Sequence, residues 1–307
     1  MTIVLEDYRS SPGLDEELAA LGYAAVQGWP DQRPVTPAMV RSLLRPGGMT
    51  ATTLAMHRDR NGRLLGAAAL RWPATVTASG RLWGPIVHPT AQRAGLGRSL
   101  LDTLVGVVGS HPGVRFTTTD IPESRVAGWE LFEQLGWRKD KPSALLARGL
   151  PADLPVRTLV PVRPVRPGEY VDAALSELFT LDRPHLCAST ARDTFARWSA
   201  DARYTADGLL LAGEIDKLSG AALVYVSRHE SDDEPAEALL SDVLVDSRLD
   251  PTDAAEVRSA LVASALRMAD GTDAAVARAF VDNLELRDTL QSMGFVEVDR
   301  MRHYIST

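Results

Sequence analysis

Apolar and polar positions along the chain alternate between period two, typical of strands, and period 3.6, typical of helices. In residues 1–150 these segments predict the order strand, helix, helix, strand, strand, strand, helix, strand, helix, strand. The two hairpin strands are joined by Asn61-Gly62, a pair that supplies the positive φ of a tight turn. The predicted segments are 2–8, 14–29, 36–48, 52–59, 63–72, 81–89, 97–108, 114–120, 124–136 and 143–150.

The second half of the chain repeats this order after a proline-rich segment. The helix ends WELFEQLGW (129–137) and TLQSMGF (289–295) match in particular, because both place Gly at a left-handed C-cap before an aromatic residue. We therefore predict a tandem repeat of one α/β unit. The expected parts are a first domain, a linker and a second domain, at 1–150, 151–165 and 166–307.

Composition is that of an ordinary globular protein. No apolar run approaches the ~20 residues that span a membrane, and the segment MTIVLEDYRSSPG lacks the features of a signal peptide. The one cysteine, Cys187, rules out an internal disulfide framework. We therefore expect a cytoplasmic protein with no membrane partner and no metal ion. The oligomeric state stays open, with a homo-oligomer among the alternatives.

The net charge of −7 is divided unevenly along the chain. Residues 1–155 contain 17 Lys and Arg against 14 Asp and Glu, whereas residues 156–307 contain 16 against 26. The acidic half is either simply solvated or able to attract a polycationic amine by steering. Neither half carries a dense basic stripe with interleaved aromatic residues, so we expect no nucleic-acid partner. The preference for Arg over Lys is typical of a GC-rich bacterial genome.

The segment GPIVHPTAQRAGLGRSLL (84–101) joins a predicted strand to a predicted helix through a turn with two glycines. The first N–H groups of a helix have no partner inside it and carry the positive end of its dipole. Bare backbone flanked by Arg93 and Arg98 suits a diphosphate; a plain strand-to-helix turn is the alternative. The absence of G-x-x-x-x-G-K-[ST], and Leu100 where G-x-G-x-x-G needs a glycine, argue against a P-loop and a dinucleotide site.

The stretch IVHPTAQRAGLGRSLL resembles the acyl-CoA-binding segment of the GCN5-related N-acetyltransferase (GNAT) superfamily, where a strand ending V-x-P precedes [QR]-x-x-G-x-[GA]. The order of elements over 1–150 is similar too. The resemblance implies tandem GNAT folds of the α/β (α+β) class, each a mixed, mostly antiparallel sheet flanked by helices. It implies acetyl-CoA as co-substrate, with pantetheine along the strand and the diphosphate on the turn amides. The implied cofactor-binding residues are Pro85, Ile86, Val87, Gln92, Arg93, Ala94, Gly95, Leu96, Gly97, Arg98 and Ser99.

The same resemblance implies groups that transfer the acetyl group to an amine. A backbone N–H of Ile86 or Val87 is expected to bond the thioester oxygen, because Pro85 has no N–H; of these two we assign Val87 to the catalytic residues. Asp120 matches a strand end where family members place an acid, so it is expected to aid deprotonation of the amine. Its alternative role is to cap the following helix.

The chain departs from the family pattern in three places. The strand that ends in the motif offers Arg81, Trp83 and Gly84 where members often have a carboxylate. Phe132 stands where the family has a thiolate-protonating Tyr, and Arg125 where it has a cofactor-contacting Asn. Because Phe132 cannot donate a proton, departure of the thiolate is expected to use water or another group. His88, beside the turn, either acts near neutral pH or, as we expect, is a surface histidine.

The second half keeps the order of elements and lacks the motif. Its turn VDSRLDPTDAAEV (245–257) has no glycine and contains Asp246, Asp250 and Asp253, which would repel a diphosphate. We therefore interpret it as a degenerate copy without a cofactor.

Three functions are compatible with the sequence. The prediction is an N-acetyltransferase that acts on a primary amine of a small molecule. The alternatives are an acetyltransferase for a protein lysine or N-terminus, and a non-catalytic acyl-CoA sensor or scaffold.

Overall fold

The computed structural model describes residues 2–29, 35–44, 49–73, 79–108, 116–152, 159–166, 168–185, 188–201, 203–227 and 236–306. The chain forms two compact units. Unit 1 contains Met1–Pro142 and Asp299–Thr307, and unit 2 contains Ser143–Val298. Each unit has a mixed, mostly antiparallel sheet with helices on both faces. The predicted fold class is confirmed.

As far as its fourth helix, unit 1 follows the order of elements that the hydrophobic pattern predicts, and a short additional strand comes after that helix. Its strands are β1 Val4–Asp7, β2 Met49–Arg58, β3 Leu64–Pro73, β4 Ser79–Val87, β5 Phe116–Pro122 and β6 Arg138–Lys139. Its helices are α1 Pro12–Val26, α2 Pro37–Leu44, α3 Leu96–Val108 and α4 Val126–Gln134. The sheet order is β1-β2-β3-β4-β5, and β4–β5 is its parallel pair.

The two faces of this sheet carry different helices. Along β3, Ala67 and Ala69 pack in a core with Leu18 of α1 and Val40 of α2. The alternate residues Ala68 and Leu70 pack on the other face, in a core with α3 and α4. The helix predicted over 36–48 ends at Leu44, and residues 45–48 lie outside the described part.

Unit 2 repeats the arrangement around a second sheet, in the order β7-β12-β11-β10-β9-β8. Its strands are β7 Ser143–Gly149, β8 Val162–Pro164, β9 Leu209–Glu214, β10 Lys217–Ser227, β11 Ala236–Val245 and β12 Ala274–Val281, and the last strand of the chain is β13 Val296–Ile305. Its helices are α5 Asp172–Asp182, α6 Ala188–Ala200, α7 Pro251–Asp270 and α8 Leu284–Ser292. The pair β11–β12 is parallel, as β4–β5 is in unit 1.

Matching strand registers show that the two units are copies of one fold. In unit 1, Gly66 lies opposite Val87, and a Cβ on Gly66 would come within 2.8 Å of Leu96 in α3. In unit 2, Gly220 lies opposite Val245, and a Cβ there would come within 2.7 Å of a side chain in α7. Both glycines therefore let the long helix after the central strand pack closely on the hairpin strand.

The units divide the chain differently from the boundaries expected at residues 150 and 166. The segment 143–149, expected to close the first domain, forms β7 and pairs with β12 in unit 2. Residues 301–305 of β13 pair instead with β5 and β6 in unit 1. Each unit thus completes its sheet with a strand from the other half of the sequence. The hydrophobic pattern identifies a strand but does not identify the strand with which it pairs.

The proline-rich segment contains a strand at its end. Residues 153–158 of the expected linker lie outside the described part of the chain. Val162–Pro164 form β8 and pair with β9. Within the described residues, no helix is long and apolar enough to cross a membrane.

The last strand should be essential to the stability of unit 1. Tyr304 of β13 is 0% exposed, stacks on Phe132 and donates from its hydroxyl to Glu133 Oε1 at 2.9 Å. We predict that Tyr304→Ala lowers the free energy of unfolding by about 3–5 kcal/mol, as expected for a buried aromatic residue. Tyr170, which is 96% exposed, gives the matched control, with a change within about 0.5 kcal/mol for Tyr170→Ala. Equal urea resistance of the two variants would show that β13 is not part of this core.

Candidate functional site

The strand β4 loses one of its two neighbours halfway along its length. Ser79–Arg81 pair in parallel with Phe116–Thr118 of β5. Beyond this point β5 pairs on its other side with residues 301–305 of β13, while β4 continues beside β3 as far as Val87. Within the described residues, the β4 edge from Leu82 to Val87 therefore has no strand paired with it.

A bulge interrupts β4 beside this open edge. Ala67 of β3 lies opposite Ile86. Two residues further along β3, Ala69 lies opposite Trp83, so β4 contains one more residue than its partner here. Gly84 occupies the bulge with φ +83°, and a Cβ there would come within 2.9 Å of the Ile86 nitrogen. The bulge thus requires glycine, and bulges bend and twist the strand that carries them.

The register determines which backbone N–H groups face the open edge. The His88 N–H donates to the Leu65 carbonyl on β3 at 2.9 Å. Because N–H groups alternate in direction along an antiparallel ladder, the Ile86 N–H points toward β3 as well. The Val87 N–H points the other way, to the open edge. The sequence leaves the N–H groups of Ile86 and Val87 as candidates to bond the thioester oxygen, and of these two the Val87 N–H points to the open edge.

Side chains of the turn itself stabilise the chain after β4. Gln92 Nε2 donates to the Val87 carbonyl at 3.1 Å. His88 Nδ1 accepts from the Thr90 N–H at 3.2 Å, and its Nε2 lies 2.7 Å from Arg63 Nη2. Both ring nitrogens of His88 are therefore engaged in holding the turn.

The backbone between this turn and α3 is bare and positively polarised. Arg93 and Gly95 adopt left-handed conformations, with φ +65° and +79°, and a Cβ on Gly95 would meet nothing within 4 Å. The Ser99 N–H closes the first turn of α3 by donating to the Gly95 carbonyl at 3.1 Å. The N–H groups of the three preceding residues therefore lie before the helical ladder. Such backbone can gather N–H groups into a concave anion site, and the helix dipole adds positive potential.

The eleven predicted cofactor-binding residues lie together on the end of β4, the turn and the first turn of α3. Arg93 and Arg98 are exposed, whereas Leu96 is buried and contributes only its backbone. A Cβ on Gly97 would lie 3.3 Å from Leu131 and 3.5 Å from Pro85. Gly97 therefore serves the close packing of α3, while Gly95 leaves open space.

Asp120 lies on β5 beyond the last pair with β4, and both of its oxygens are engaged. Oδ2 accepts from Arg81 Nη2, and Oδ1 contacts Nδ1 of His303, its cross-strand partner on β13. The side chains of Asp120 and His303 are 22% and 31% exposed. Helix α4 begins at Val126 with Arg125 as its N-cap residue and no side-chain cap. Asp120 therefore does not cap that helix.

Asp120 belongs to a row of charged side chains across the sheet. Arg71 of β3 lies opposite Arg81 of β4, which bonds Asp120, which in turn contacts His303. Tyr304, next to His303, is buried with α3 and α4. Because side chains alternate between faces, the row lies on the face that α1 and α2 cover in part. Burial, and to a lesser extent the nearby Arg81 charge, lower the pKa of Arg71 to about 9.

Phe132 is a core residue and offers no proton. It is 0% exposed, with its ring edge-on to Trp137 at 4.9 Å and stacked with Tyr304 at 5.8 Å. The nearby Tyr304 hydroxyl donates to Glu133, and burial raises the pKa of Tyr304.

In unit 2, a side chain closes the edge that corresponds to the open edge of β4. Val245 stands at the position of Val87, since both are the last residues of their strands and lie opposite a glycine. The Val245 N–H donates to Asp182 Oδ1 at 3.0 Å. Beside it, Arg183 pairs with Asp242 of β11 at 2.5 Å. The N–H that points to the open edge in unit 1 therefore has a counterpart in unit 2 that is hydrogen-bonded to a side chain of the same unit.

The first turn of α7 is also capped from within. Asp250 accepts from the N–H groups of Thr252 and Asp253 at 2.9 and 3.1 Å, and these bonds lower its pKa. Pro251, at the first position of the helix, has no N–H to offer. Asp246 is paired with Arg248 at 2.8 Å. This turn therefore presents carboxylates where unit 1 presents bare amides.

His303 was not among the residues that the sequence singled out. It lies 183 positions from Asp120, and only the pairing of β13 with β5 brings the two together. A lone histidine in a strand of alternating polarity gives no signal of this partnership.

Comparisons with known proteins agree with this geometry. Residues 23–137 match the family model described as the acetyltransferase (GNAT) family. No curated protein matches the chain significantly.

Solved structures resemble the chain over 99% of its length. A GCN5-related N-acetyltransferase from Sphaerobacter thermophilus shares 18% identity, is covered to 95% and gives a TM-score of 0.72. A tandem GNAT protein from the clavulanic acid biosynthesis pathway shares 19% identity, is covered to 98% and gives 0.69. Saccharomyces cerevisiae N-myristoyltransferase with bound myristoyl-CoA shares 12% identity, is covered to 78% and gives 0.64. At these identities the likeness shows the fold alone.

Proposed function

We propose that the chain transfers an acetyl group from acetyl-CoA to a primary amine of a small molecule, since residues 23–137 match the acetyltransferase (GNAT) family model. The observation that carries the proposal is the open edge of β4, which the turn of residues 88–95 links to the bare N-terminus of α3. Acyl-CoA fits both features: its extended pantetheine arm carries amides that suit the strand edge, and its diphosphate suits the N-terminus of α3.

The residues of unit 1 suit acyl-CoA in three ways. Amides of the pantetheine arm can pair with the β4 edge, as an added strand would. The N–H groups of residues 93–98 suit the diphosphate, and the exposed Arg93 and Arg98 add positive charge. The Val87 N–H, directed to the open edge, suits the thioester oxygen and the negative charge that develops on it.

The face that carries Arg71, Arg81, Asp120 and His303 is proposed to receive the amine. Arg81 and Asp120 lie on the strands that border the open edge, and Arg71 and His303 lie on the next strand on either side; these charged groups favour a short acyl group over a long apolar one. The acidic composition of the second half would favour the approach of a cationic amine.

Asp120, in this proposal, assists the removal of a proton from the amine. The departing thiolate takes no proton from Phe132, which has none to give and is buried. Water or the amine itself supplies it.

A charge placed at Gly95 should abolish cofactor binding. Gly95→Asp sets a carboxylate beside the proposed diphosphate, whereas Gly95→Asn introduces a neutral side chain of the same size. Both residues tolerate the left-handed φ of this position, so the pair isolates the charge. We expect calorimetry with acetyl-CoA to show at least a ~100-fold weaker Kd for Gly95→Asp than for Gly95→Asn. Equal affinities would remove the diphosphate from this turn.

Stoichiometry should distinguish one site from two. Since Asp182 occupies the Val245 N–H and Asp250 caps α7, we expect one acetyl-CoA per chain. In that case Gly95→Asp eliminates all binding. Two molecules bound to the parent chain, or half of the binding retained by the variant, would mean that unit 2 has a working site.

The acceptor class can be tested with acetyl-CoA and four amines: spermidine, glucosamine, kanamycin and a lysine-containing peptide. Release of the free thiol with the small amines supports the proposal. Transfer to the peptide alone would favour a protein acetyltransferase. Tight binding of acetyl-CoA without transfer to any of them would favour the non-catalytic sensor, which the burial of Phe132 keeps as the second candidate.

A further inference from the structure

We propose that His303, on the last strand of the chain, is the group that accepts the proton of the amine, and that Asp120 acts through it as a positioning residue. The inference rests on the proposed function and assigns the base within the same site. The sequence suggested that Asp120 aids deprotonation of the amine directly; in this inference Asp120 instead orients the proton acceptor, His303.

The geometry around Asp120 supports this division of roles. Oδ2 of Asp120 is paired with the Arg81 guanidinium, and a carboxylate paired with a cation is a weak proton acceptor. Its other oxygen contacts His303 Nδ1. Asp120 therefore has both of its oxygens committed within the protein.

The same contact gives His303 a defined protonation form. A carboxylate beside Nδ1 stabilises the neutral ring that carries its proton on Nδ1, so that the lone pair lies on Nε2. Cross-strand pairing of Asp120 with His303 fixes the ring on the face of the sheet that also carries Arg81 of β4. The His303 side chain is 31% exposed. A group that exchanges protons with a substrate must be accessible in this way.

Charged groups from every neighbouring strand affect this histidine. Asp120 on β5 favours a positive charge on the ring, whereas Arg81 on β4 and Arg71 on β3 oppose it. Beyond β13, β6 carries the exposed Arg138 and Lys139; the exposed Asp140 follows β6, and its N–H donates to the His303 carbonyl. The His303 ring therefore lies among both carboxylates and cationic side chains.

The proposed step balances in protons and electrons. The acceptor arrives as an ammonium ion and gives one proton to His303 Nε2. The lone pair of the neutral amine then forms the C–N bond with the thioester carbon, and the C–S bond breaks with its electron pair on sulfur. The thiolate takes the second proton of the amine, and His303 returns its proton to solvent. The products are the amide, the free thiol and one proton.

Removing the base should change the pH profile as well as the rate. With acetyl-CoA and the best amine of the panel, log kcat/KM of the parent is expected to rise with a slope of one from acid pH and to level off below the pKa of the amine, because neutral His303 takes the proton of the bound ammonium ion. In His303→Asn the ammonium ion must lose its proton to solvent, so log kcat/KM keeps rising with a slope of one up to the pKa of the amine, and kcat/KM at neutral pH falls by about 100-fold. The affinity for acetyl-CoA should stay within about twofold of the parent, which also shows that the variant is folded.

A matched control and a second variant separate this role from a structural one. His57 lies on β2, outside the row, and its Nδ1 is 2.7 Å from the Thr2 carbonyl. His57→Asn should therefore keep the parent's rate and pH profile. Asp120→Asn should move the proton of the neutral His303 ring from Nδ1 to Nε2, a change that ¹⁵N NMR of the imidazole detects without turnover. Its rate should fall with that of His303→Asn.

Each outcome distinguishes the inference from the proposed function. A parent chain that transfers acetyl groups while His303→Asn keeps the parent's rate and pH profile would overturn the role of His303 alone. A parent ring with its proton on Nε2 would overturn it as well. A parent chain that binds no acetyl-CoA, or transfers to no amine, would overturn the proposed function and the inference together.

Discussion

The end of the parallel pairing between β4 and β5 is the feature on which the site depends. The two strands are in register only as far as Arg81 and Thr118, and beyond that point β5 pairs with β13 on its other side. An unpaired strand edge exposes backbone groups that require a partner. In this protein the edge ends at Val87, and the turn of residues 88–95 leads to the N-terminus of α3, where further amides lie before the helical ladder. The divergence of the strands thus leaves backbone donors available on the β4 edge, and the turn adds those at the start of α3.

In the second unit the corresponding backbone N–H groups are hydrogen-bonded within the chain. Its parallel pair β11–β12 and its glycine opposite Val245 repeat those of unit 1. Asp182 bonds the N–H that would otherwise be exposed, and Asp250 caps the helix that would otherwise present bare amides. These two carboxylates therefore turn a copy of the binding geometry into a closed structural element.

The sequence was sufficient to predict those parts of the site whose residues are close together in the chain. The hydrophobic periods give the order of strands and helices, and the Gly95 and Gly97 spacing marks the strand-turn-helix segment that the structure contains. The long-range pairings were beyond it. The exchange of β7 and the end of β13 depends on edge complementarity, and the contact between Asp120 and His303 depends on that exchange. Similarly, only the ladder register distinguishes the Val87 N–H from that of Ile86.

Hydrogen–deuterium exchange of the full chain, with and without acetyl-CoA, tests the central claim most directly. Amide exchange reports whether the backbone donors of each unit acquire a partner. The account predicts slower exchange on addition of acetyl-CoA in residues 84–99, including Val87, and no change in residues 242–254. Protection of residues 242–254, or unchanged exchange at 84–99 under saturating acetyl-CoA, would contradict it.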